Sequence, residues 1–248
     1  MYHFTFYRKM AVIICLFLSG LSFAANAQEN ACTIKDRACI LQELKENTSK
    51  IENTSWRDQT YRELAKTYAF EKEFEQALTI IDLVQTPDIK AMSIRGVGMM
   101  LAHYKDEQAE LTKKFAKLRV KADSIAHPPS HGIALTYIAM AQAFAGDNEG
   151  AWKTTESMKN SALRNKAYGE TAEIQAERGD FKSAQTSIQK ISSLSFRNKA
   201  YEIISKILSD KQLYQDAYDA AKMIENNYKR GQAIQYMLDS QQPRDRVQ

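Results

Sequence analysis

One stretch organises this chain: residues 164–191 are RNKAYGETAEIQAERGDFKSAQTSIQKI. Its opening letters, RNKAY, return unchanged 33 residues later at 197–201, and the related RGQA follows at 230–233. In the other direction, the Gly-Asp pair at 179–180 is matched by a second Gly-Asp pair at 146–147. A fixed period in this range indicates stacked helical hairpins, because each hairpin alone cannot bury its apolar face.

The N-terminal end has the composition of an export signal. Residues 1–27 contain a positive pair, Arg8 and Lys9, then an apolar run at 11–24, and end in the small residues Ala-Asn-Ala. This pattern predicts a secretory signal peptide with cleavage before Gln28. The apolar run is shorter than the roughly 20 residues that span a bilayer. We therefore expect an exported protein, most simply periplasmic, with no stable membrane insertion after cleavage.

The charge balance argues against a nucleic-acid partner. The whole chain carries a formal charge of +4, which falls to +2 when Arg8 and Lys9 leave with the signal peptide. A nucleic-acid-binding protein shows a basic stripe or a strongly basic domain instead. Four Pro and nine Gly in 248 residues favour helix throughout. The predicted fold class is all-α.

Two cysteines, Cys32 and Cys39, remain after the predicted cleavage. In an oxidising compartment, such a closely spaced pair indicates a disulfide. Residues seven apart on a regular helix are about 10 Å apart along its axis, which is too far for the bond. A Cys32–Cys39 disulfide therefore requires residues 33–38 to bend. The spacing does not match a redox-active motif.

The pattern divides the chain into four parts. They are a signal peptide (1–27), an N-terminal segment with the cysteine pair and a leading helix (28–56), a helical repeat domain (57–240) and a flexible tail (241–248). The second repeat, at 88–130, is enlarged by a longer second helix, predicted at 106–126.

The enlarged helix is rich in lysine and arginine, so a solvated basic face and a docking strip for an acidic partner are both open. The next segment, His127-Pro-Pro-Ser-His131, is predicted to interrupt the helices as an extended turn.

The first full repeat resembles the tetratricopeptide-repeat (TPR) family. Apolar and aromatic residues at the spacing of that family carry the likeness. They are Tyr61, Leu64, Ala65, Tyr68, Phe74, Ala77 and Ile81. The later repeats match in part, through residues such as Tyr168, Gly179 and Ala184. The resemblance covers about residues 57–238. It implies a right-handed solenoid of antiparallel helix pairs, with about five hairpins and a capping helix.

The resemblance also implies a concave groove, lined by the first helix of each hairpin, that binds a protein or peptide partner. The expected groove residues are Arg62, Lys66, Phe70, Val97, Met100, Thr136, Met140, Phe144, Glu170 and Glu173. Met and Phe suit an adaptable apolar contact. The alternative is that Met100, Met140 and Phe144 belong to the core or lie under the enlarged helix. The family's carboxylate-clamp subgroup has an Asn at places where Lys66, Met140, Glu173 and Lys206 stand here, so terminal-carboxylate recognition is not expected.

No catalytic, cofactor or metal site is predicted. Gly96-Val97-Gly98 follows no strand, so it indicates close helix packing and not a phosphate loop. His127 and His131 have helical metal-ligand spacing, but the intervening prolines make a turn the expected structure.

The sequence therefore predicts an exported scaffold or adaptor that is not an enzyme. The first alternative is a self-assembling, homo-oligomeric envelope protein. An enzyme hidden in the array is a further alternative.

Overall fold

The computed structural model describes residues 32–104 and 106–241, so the predicted signal peptide and residues 242–248 of the predicted tail lie outside it. The described residues form helices and no strand, which confirms the all-α prediction. None of these helices is long and apolar enough to cross a membrane. The helices are α1 (Arg37–Ser49), α2 (Thr54–Phe70), α3 (Phe74–Leu83), α4 (Pro87–His103), α5 (Gln108–Asp123), α6 (Pro128–Ala145), α7 (Asn148–Glu156), α8 (Ser161–Glu177), α9 (Phe181–Gln189), α10 (Leu194–Asp210), α11 (Tyr214–Lys222) and α12 (Asn227–Ser240).

Short polar side chains fix where many helices begin. At the start of α2, α7, α8, α9 and α12, the side chain of the capping residue accepts a hydrogen bond from a backbone N–H of the first turn. These caps are Asn53, Asp147, Asn160, Asp180 and Asn226. Each cap satisfies a donor that the helix itself leaves unpaired.

A left-handed residue follows the first helix of four hairpins. Gly146 has a φ of 88° and Gly179 a φ of 75°, a left-handed conformation that is common for glycine at the end of a helix. Lys72 and Gln212 take the same position with φ of 65° and 63°. The two turns that lack glycine therefore keep the left-handed conformation, although it costs an L-residue about 1–2 kcal/mol.

The helices fall into two sets. The first helices are α2, α4, α6, α8, α10 and α12, and each of them packs against the next one in the set. The second helices are α3, α5, α7, α9 and α11, and each packs against the first helix that precedes it. Contacts therefore join neighbouring hairpins chiefly through the first helices.

Alanines are numerous among the buried residues of the paired helices. Six of them are fully buried: Ala139, Ala143, Ala151, Ala172, Ala176 and Ala184. Their small side chains allow two helix axes to approach to the low end of about 8–10 Å. Gly98 serves the same purpose, because a Cβ at this position would stand 3.1 Å from the Cβ of Ala141. The prediction of close helix packing at Gly96-Val97-Gly98 is confirmed.

Helix α5 accounts for the enlarged second repeat. It has 16 residues, compared with nine or ten in the other second helices. It is shorter than the predicted 106–126 because the chain turns at Ser124.

The prediction of an extended break at His127-Pro-Pro-Ser-His131 is wrong. Pro128 and Pro129 are the first two residues of α6, and His127 is its capping residue. Proline is tolerated there because its missing N–H would have had no partner within the helix.

Cys32 and Cys39 form a disulfide, as predicted, with a Cα–Cα distance of 5.6 Å. A turn precedes α1, and Asp36 caps the helix by accepting from the backbone N–H of Cys39. The guanidinium of Arg37 donates to Glu71 at the end of α2. The disulfide, the cap and this ion pair hold the N-terminal segment against the first hairpin.

Candidate binding groove

Three adjoining hollows cross the exposed face of the first helices. The hollow between α2 and α4 has a volume of about 370 Å³, the hollow across α4, α6 and α8 about 300 Å³, and the hollow between α8 and α10 about 280 Å³. Arg95 lines the first two hollows, while Lys166 and Glu170 line the last two. We call this continuous line of hollows, from Arg62 on α2 to Ile203 on α10, the groove. The volumes of the three hollows lie near the lower end of the range for small-ligand pockets, which measure about 300–1,000 Å³.

The α2–α4 section of the groove combines methionines with cations. Met92, Met99 and Met100 line it and are partly buried. Lys66 crosses α4 at Gly96, where an added Cβ would stand 3.5 Å from the Lys66 Cβ. The glycine therefore lets the lysine stem lie close to α4, with the ammonium group exposed.

Two cations of this section have no carboxylate partner within the described ranges. Arg62 bonds Glu63, with Nε to Oε1 at 2.8 Å. Lys66 makes no ion pair in that part of the chain, and Arg95 lies with its guanidinium carbon 5.3 Å from the centre of the Tyr137 ring. The α2–α4 section therefore carries an uncompensated positive charge.

The α8 section contains two carboxylates. Glu170 lies 3.5 Å from the ammonium nitrogen of Lys166. Burial raises the pKa of Glu173 above its usual value, the nearby charge of Glu170 raises it further, and Lys199 acts in the opposite direction. Lys166 and Lys199 also line the hollow between α8 and α10 and balance these two carboxylates, so this section has no surplus positive charge to attract an acidic ligand.

On α10, next to Ile203, the carboxylate of Glu202 lies close to three lysines. The Glu202 carboxylate lies 3.0 Å from Lys206, 3.8 Å from Lys199 and 3.9 Å from Lys229. Burial would raise the pKa of Glu202, but the hydrogen bond from Lys206 and the charges of the three lysines lower it below its usual value. This cluster ties α10 to α12.

Most of the predicted groove residues line the groove. They are Arg62, Lys66, Met100, Thr136, Met140, Glu170 and Glu173. Phe70 and Phe144 are 57% and 43% exposed at the C-terminal ends of α2 and α6, outside the lining of the three hollows.

The assignment of Val97 to the groove is wrong, because its side chain is fully buried in the core. The groove face of α4 consists of Met92, Arg95, Gly96, Met99 and Met100. Adding the 33-residue period to Arg62 and Lys66 gives Arg95 and Met99, so the repeat itself contained the correct register.

The most strongly repeated residues are structural. An arginine near the start of four first helices donates to the backbone carbonyl oxygen six residues before it. The pairs are Arg57 to Ile51 at 3.5 Å, Arg164 to Met158 at 2.9 Å, Arg197 to Ile191 at 2.9 Å and Arg230 to Ile224 at 2.7 Å. Each arginine thereby holds the connection to the preceding helix.

The residue that follows this arginine, an Asn or Asp, accepts a hydrogen bond from the backbone just after the second helix of the same hairpin. Asn165 Oδ1 accepts from the backbone N–H of Ser192 at 3.0 Å, and Asn198 Oδ1 accepts from Glu225 at 2.9 Å. Asp58 takes this role in the first hairpin and accepts from Thr86 at 2.7 Å. The repeated Arg-Asn pair therefore links successive connections and is not free to bind a ligand.

The basic face of α5 is neutralised by ion pairs. Each of its five cations has a carboxylate partner. The pairs are Lys113–Glu110, Lys114–Asp106, Lys117–Glu75, Arg119–Asp123 and Lys121–Asp82. Two of these carboxylates belong to α3, so the cations fasten the long helix to its neighbour. The pairing supports the interpretation of a solvated basic face over that of a docking strip.

One cluster contains serine, histidine and aspartate in contact. Ser130 Oγ lies 2.6 Å from His127 Nδ1 and also donates to Asp88. The serine is therefore central, whereas a catalytic triad needs the histidine between serine and aspartate. Ser130 is also fully buried. His131 contacts Asp123, and among the described residues no three metal-ligating side chains converge.

No protein-family model and no curated protein matches this chain. Among solved structures, a crystal structure of Ton1535 from Thermococcus onnurineus NA1 aligns at 11% sequence identity and a TM-score of 0.25. The alignment covers 84% of this chain and 86% of Ton1535. A TM-score this low does not indicate a shared fold.

Proposed function

We propose that this chain is an exported, TPR-like interaction module that binds a polypeptide segment of a partner protein along the groove. The single observation that carries the proposal is the continuity of the groove across five first helices. An elongated ligand matches this line of shallow hollows better than a compact small molecule does.

The helix contacts support the proposed architecture, a right-handed solenoid of antiparallel helix pairs. The first helices begin 33 residues apart except across the enlarged second repeat, where α6 begins 41 residues after α4, and each first helix packs against the next. Such arrays present one face of every first helix to a common ligand. The leader-like residues 1–27 support export, and the disulfide fits an oxidising compartment such as the periplasm.

The groove dimensions indicate the length of the segment. Five helices at interaxial distances of about 8–10 Å span about 32–40 Å. An extended chain advances about 3.3 Å per residue, so about 10–12 residues fill the groove. The methionines allow side chains of different shape to fit.

Site-specific photocrosslinking in the native compartment tests the proposal. A crosslinking amino acid is placed at Met99, Met140 or Ile203 in the groove, and at Lys153 on α7 as a control outside its lining. We expect the three groove positions to crosslink one partner segment, at points that move along it in order. Adducts at scattered segments, or equal adducts from Lys153, contradict the proposal.

Self-association is a second candidate, and the exposed face of α12 favours it. Leu238 on α12 is 44% exposed, whereas Ser205, one period earlier on α10, is fully buried beneath α11. Tyr228 is 74% exposed at the start of the same helix. Light scattering tests this candidate. A concentration-dependent dimer that Leu238→Glu dissociates supports it, and a monomer at tens of micromolar rejects it.

A further inference from the structure

We infer that the groove selects an internal polypeptide segment whose acidic side chains lie at the α2–α4 end and whose apolar side chains contact the methionines. This inference rests on the proposed function and specifies the chemistry and placement of the bound segment. It derives from the charges along the groove.

Lys66 and Arg95 are the residues that carry the inference. They lie on neighbouring first helices, are exposed, and have no carboxylate partner in the described part of the chain. Every lysine and arginine of α5, in contrast, has one. A cation left unpaired in a groove matches an incoming carboxylate, because complementary charges guide and stabilise association.

The positions of both cations are restrained before a ligand arrives. The Lys66 stem lies against Gly96, and the Tyr137 ring supports the Arg95 guanidinium at 5.3 Å. A guanidinium stacked on a ring keeps its N–H groups available for a carboxylate, to which it can bond through two nitrogens. Pre-positioning reduces the entropy lost on binding.

The methionines of this hollow determine which side chains of the bound segment can lie beside its acidic residue. Met92, Met99 and Met100 lie beside the two cations and provide polarizable, adaptable apolar surface. Aspartate or glutamate next to a leucine or similar residue satisfies both features. The lining of this hollow contains no side-chain amide. Two separated cations match two side-chain carboxylates of an internal segment better than they match one terminal carboxylate.

The other sections fix the position of the acidic end. Glu170 lines both hollows around α8, and Glu173 lines the hollow between α8 and α10. In that hollow the two glutamates are balanced by Lys166 and Lys199, whereas the α2–α4 hollow has three cations, Arg62, Lys66 and Arg95, and the single carboxylate of Glu63. The acidic part of the segment therefore belongs at α2–α4, and its neutral or basic part at α8.

Synthetic peptides of about 12 residues, the length that fills the groove, test the inference. Three acetylated and amidated peptides alternate leucine with glutamate, glutamine or lysine, and a fourth is the glutamate peptide with a free C-terminus. Fluorescence anisotropy gives the Kd of each. We expect the amidated glutamate peptide to bind about tenfold more tightly than the glutamine peptide, with a preference that weakens as salt screens the charges.

Variants assign the preference to the two cations. The double variant Lys66→Gln, Arg95→Gln should bind the glutamate and glutamine peptides equally, while Arg95→Lys should keep part of the difference. The control Lys153→Gln, Lys182→Gln removes two exposed cations from α7 and α9 and should behave as the wild type. A crosslinker beside a glutamate at one end of a half-acidic peptide should mark Met92 or Met99.

Several outcomes overturn the inference. They are equal binding of the glutamate and glutamine peptides, tighter binding of the lysine peptide, binding that requires the free C-terminus, and crosslinks at α8 from the acidic end. If the glutamine peptide binds in the groove without a charge preference, the inference fails and the proposed function stands. If no peptide binds and photocrosslinking finds no groove segment, both fail.

Discussion

Arg197 Nη1 donates to the carbonyl oxygen of Ile191 at 2.9 Å, and so fastens the start of α10 to the connection that follows α9. The same contact recurs at Arg164 and Arg230, one period away on either side. The repeated arginine is therefore part of the joint between neighbouring hairpins.

Removal of this joint should destabilise the fold. Arg197→Ala leaves the Ile191 carbonyl without its charged donor, and hydrogen bonds to charged groups contribute about 1.5–3 kcal/mol. We expect the free energy of unfolding in urea to fall by that amount. Lys182→Ala removes an exposed cation from α9 and should change it by less than about 0.5 kcal/mol. Equal effects of the two changes would contradict a structural role for Arg197.

The buried alanine of α9, Ala184, should not accept a larger side chain. Ala184 is fully buried, so Ala184→Leu forces the neighbouring side chains apart at a cost of about 1–3 kcal/mol. Ala184→Glu should cost more, because it buries a charge without a partner. Lys182→Leu, two residues away on the exposed face, serves as the control in the same urea titration. A stable Ala184→Leu protein would show that α8 and α9 are not tightly packed.

Gln212 is one of the two left-handed residues that are not glycine, and replacing it with glycine should stabilise the fold. Gln212 has a φ of 63°, which glycine adopts without the cost that an L-residue incurs. Gln212→Gly should raise the free energy of unfolding by up to about 1 kcal/mol. Lys211→Gly, at the preceding position with a φ of −81°, should lower it instead, by about 0.5–1 kcal/mol. The idea fails if both glycines destabilise.

Glu202 should make stability depend on pH. Its pKa is lowered in the folded state by Lys206, Lys199 and Lys229, against the effect of burial. A depressed pKa stabilises the fold above the unfolded-state pKa of about 4.3, and the contribution is lost as pH falls through the folded-state pKa. Glu202→Gln should therefore be less stable than the wild type at neutral pH, with a difference that disappears in acid.

Glu173 should change stability with pH in the direction opposite to Glu202 and therefore serves as an internal control. Burial and Glu170 raise its pKa, so its charged form opposes folding at neutral pH and its protonation favours folding as pH falls. Glu173→Gln should be more stable than the wild type at neutral pH and equal to it in acid. Urea titrations over the same pH range compare the two variants. Changes of the same sign would show that the two carboxylates have similar surroundings.

Much of the fold could be predicted because its causes are local or periodic. The 33-residue repeat places glycine at two of the four left-handed turns and alanine at buried helix positions, and both follow from backbone sterics and side-chain size. The bend that brings Cys32 to Cys39 follows from bond geometry alone. The prediction for Pro128 and Pro129, the first two residues of α6, was wrong because proline can both end a helix and begin one.

The groove was only partly predictable. The expected register on α4 was rotated toward Val97, although the period from Arg62 leads to Arg95. Which cations have a carboxylate partner was harder to predict than the register of α4. Lys117 and Lys121 look as free in the sequence as Lys66 does, but they pair with Glu75 and Asp82 on another helix.

The sequence by itself determined that this chain forms paired helices, where many of the helices begin, and how the two cysteines pair. These features depend on residues at short or regular spacings, which a linear pattern records. Only the tertiary structure decided which cations are neutralised, which methionines meet them, and that one groove crosses five helices. Those features depend on side chains that lie far apart along the chain and meet through helix packing, and the pairing of a charge depends on where its neighbours stand in space.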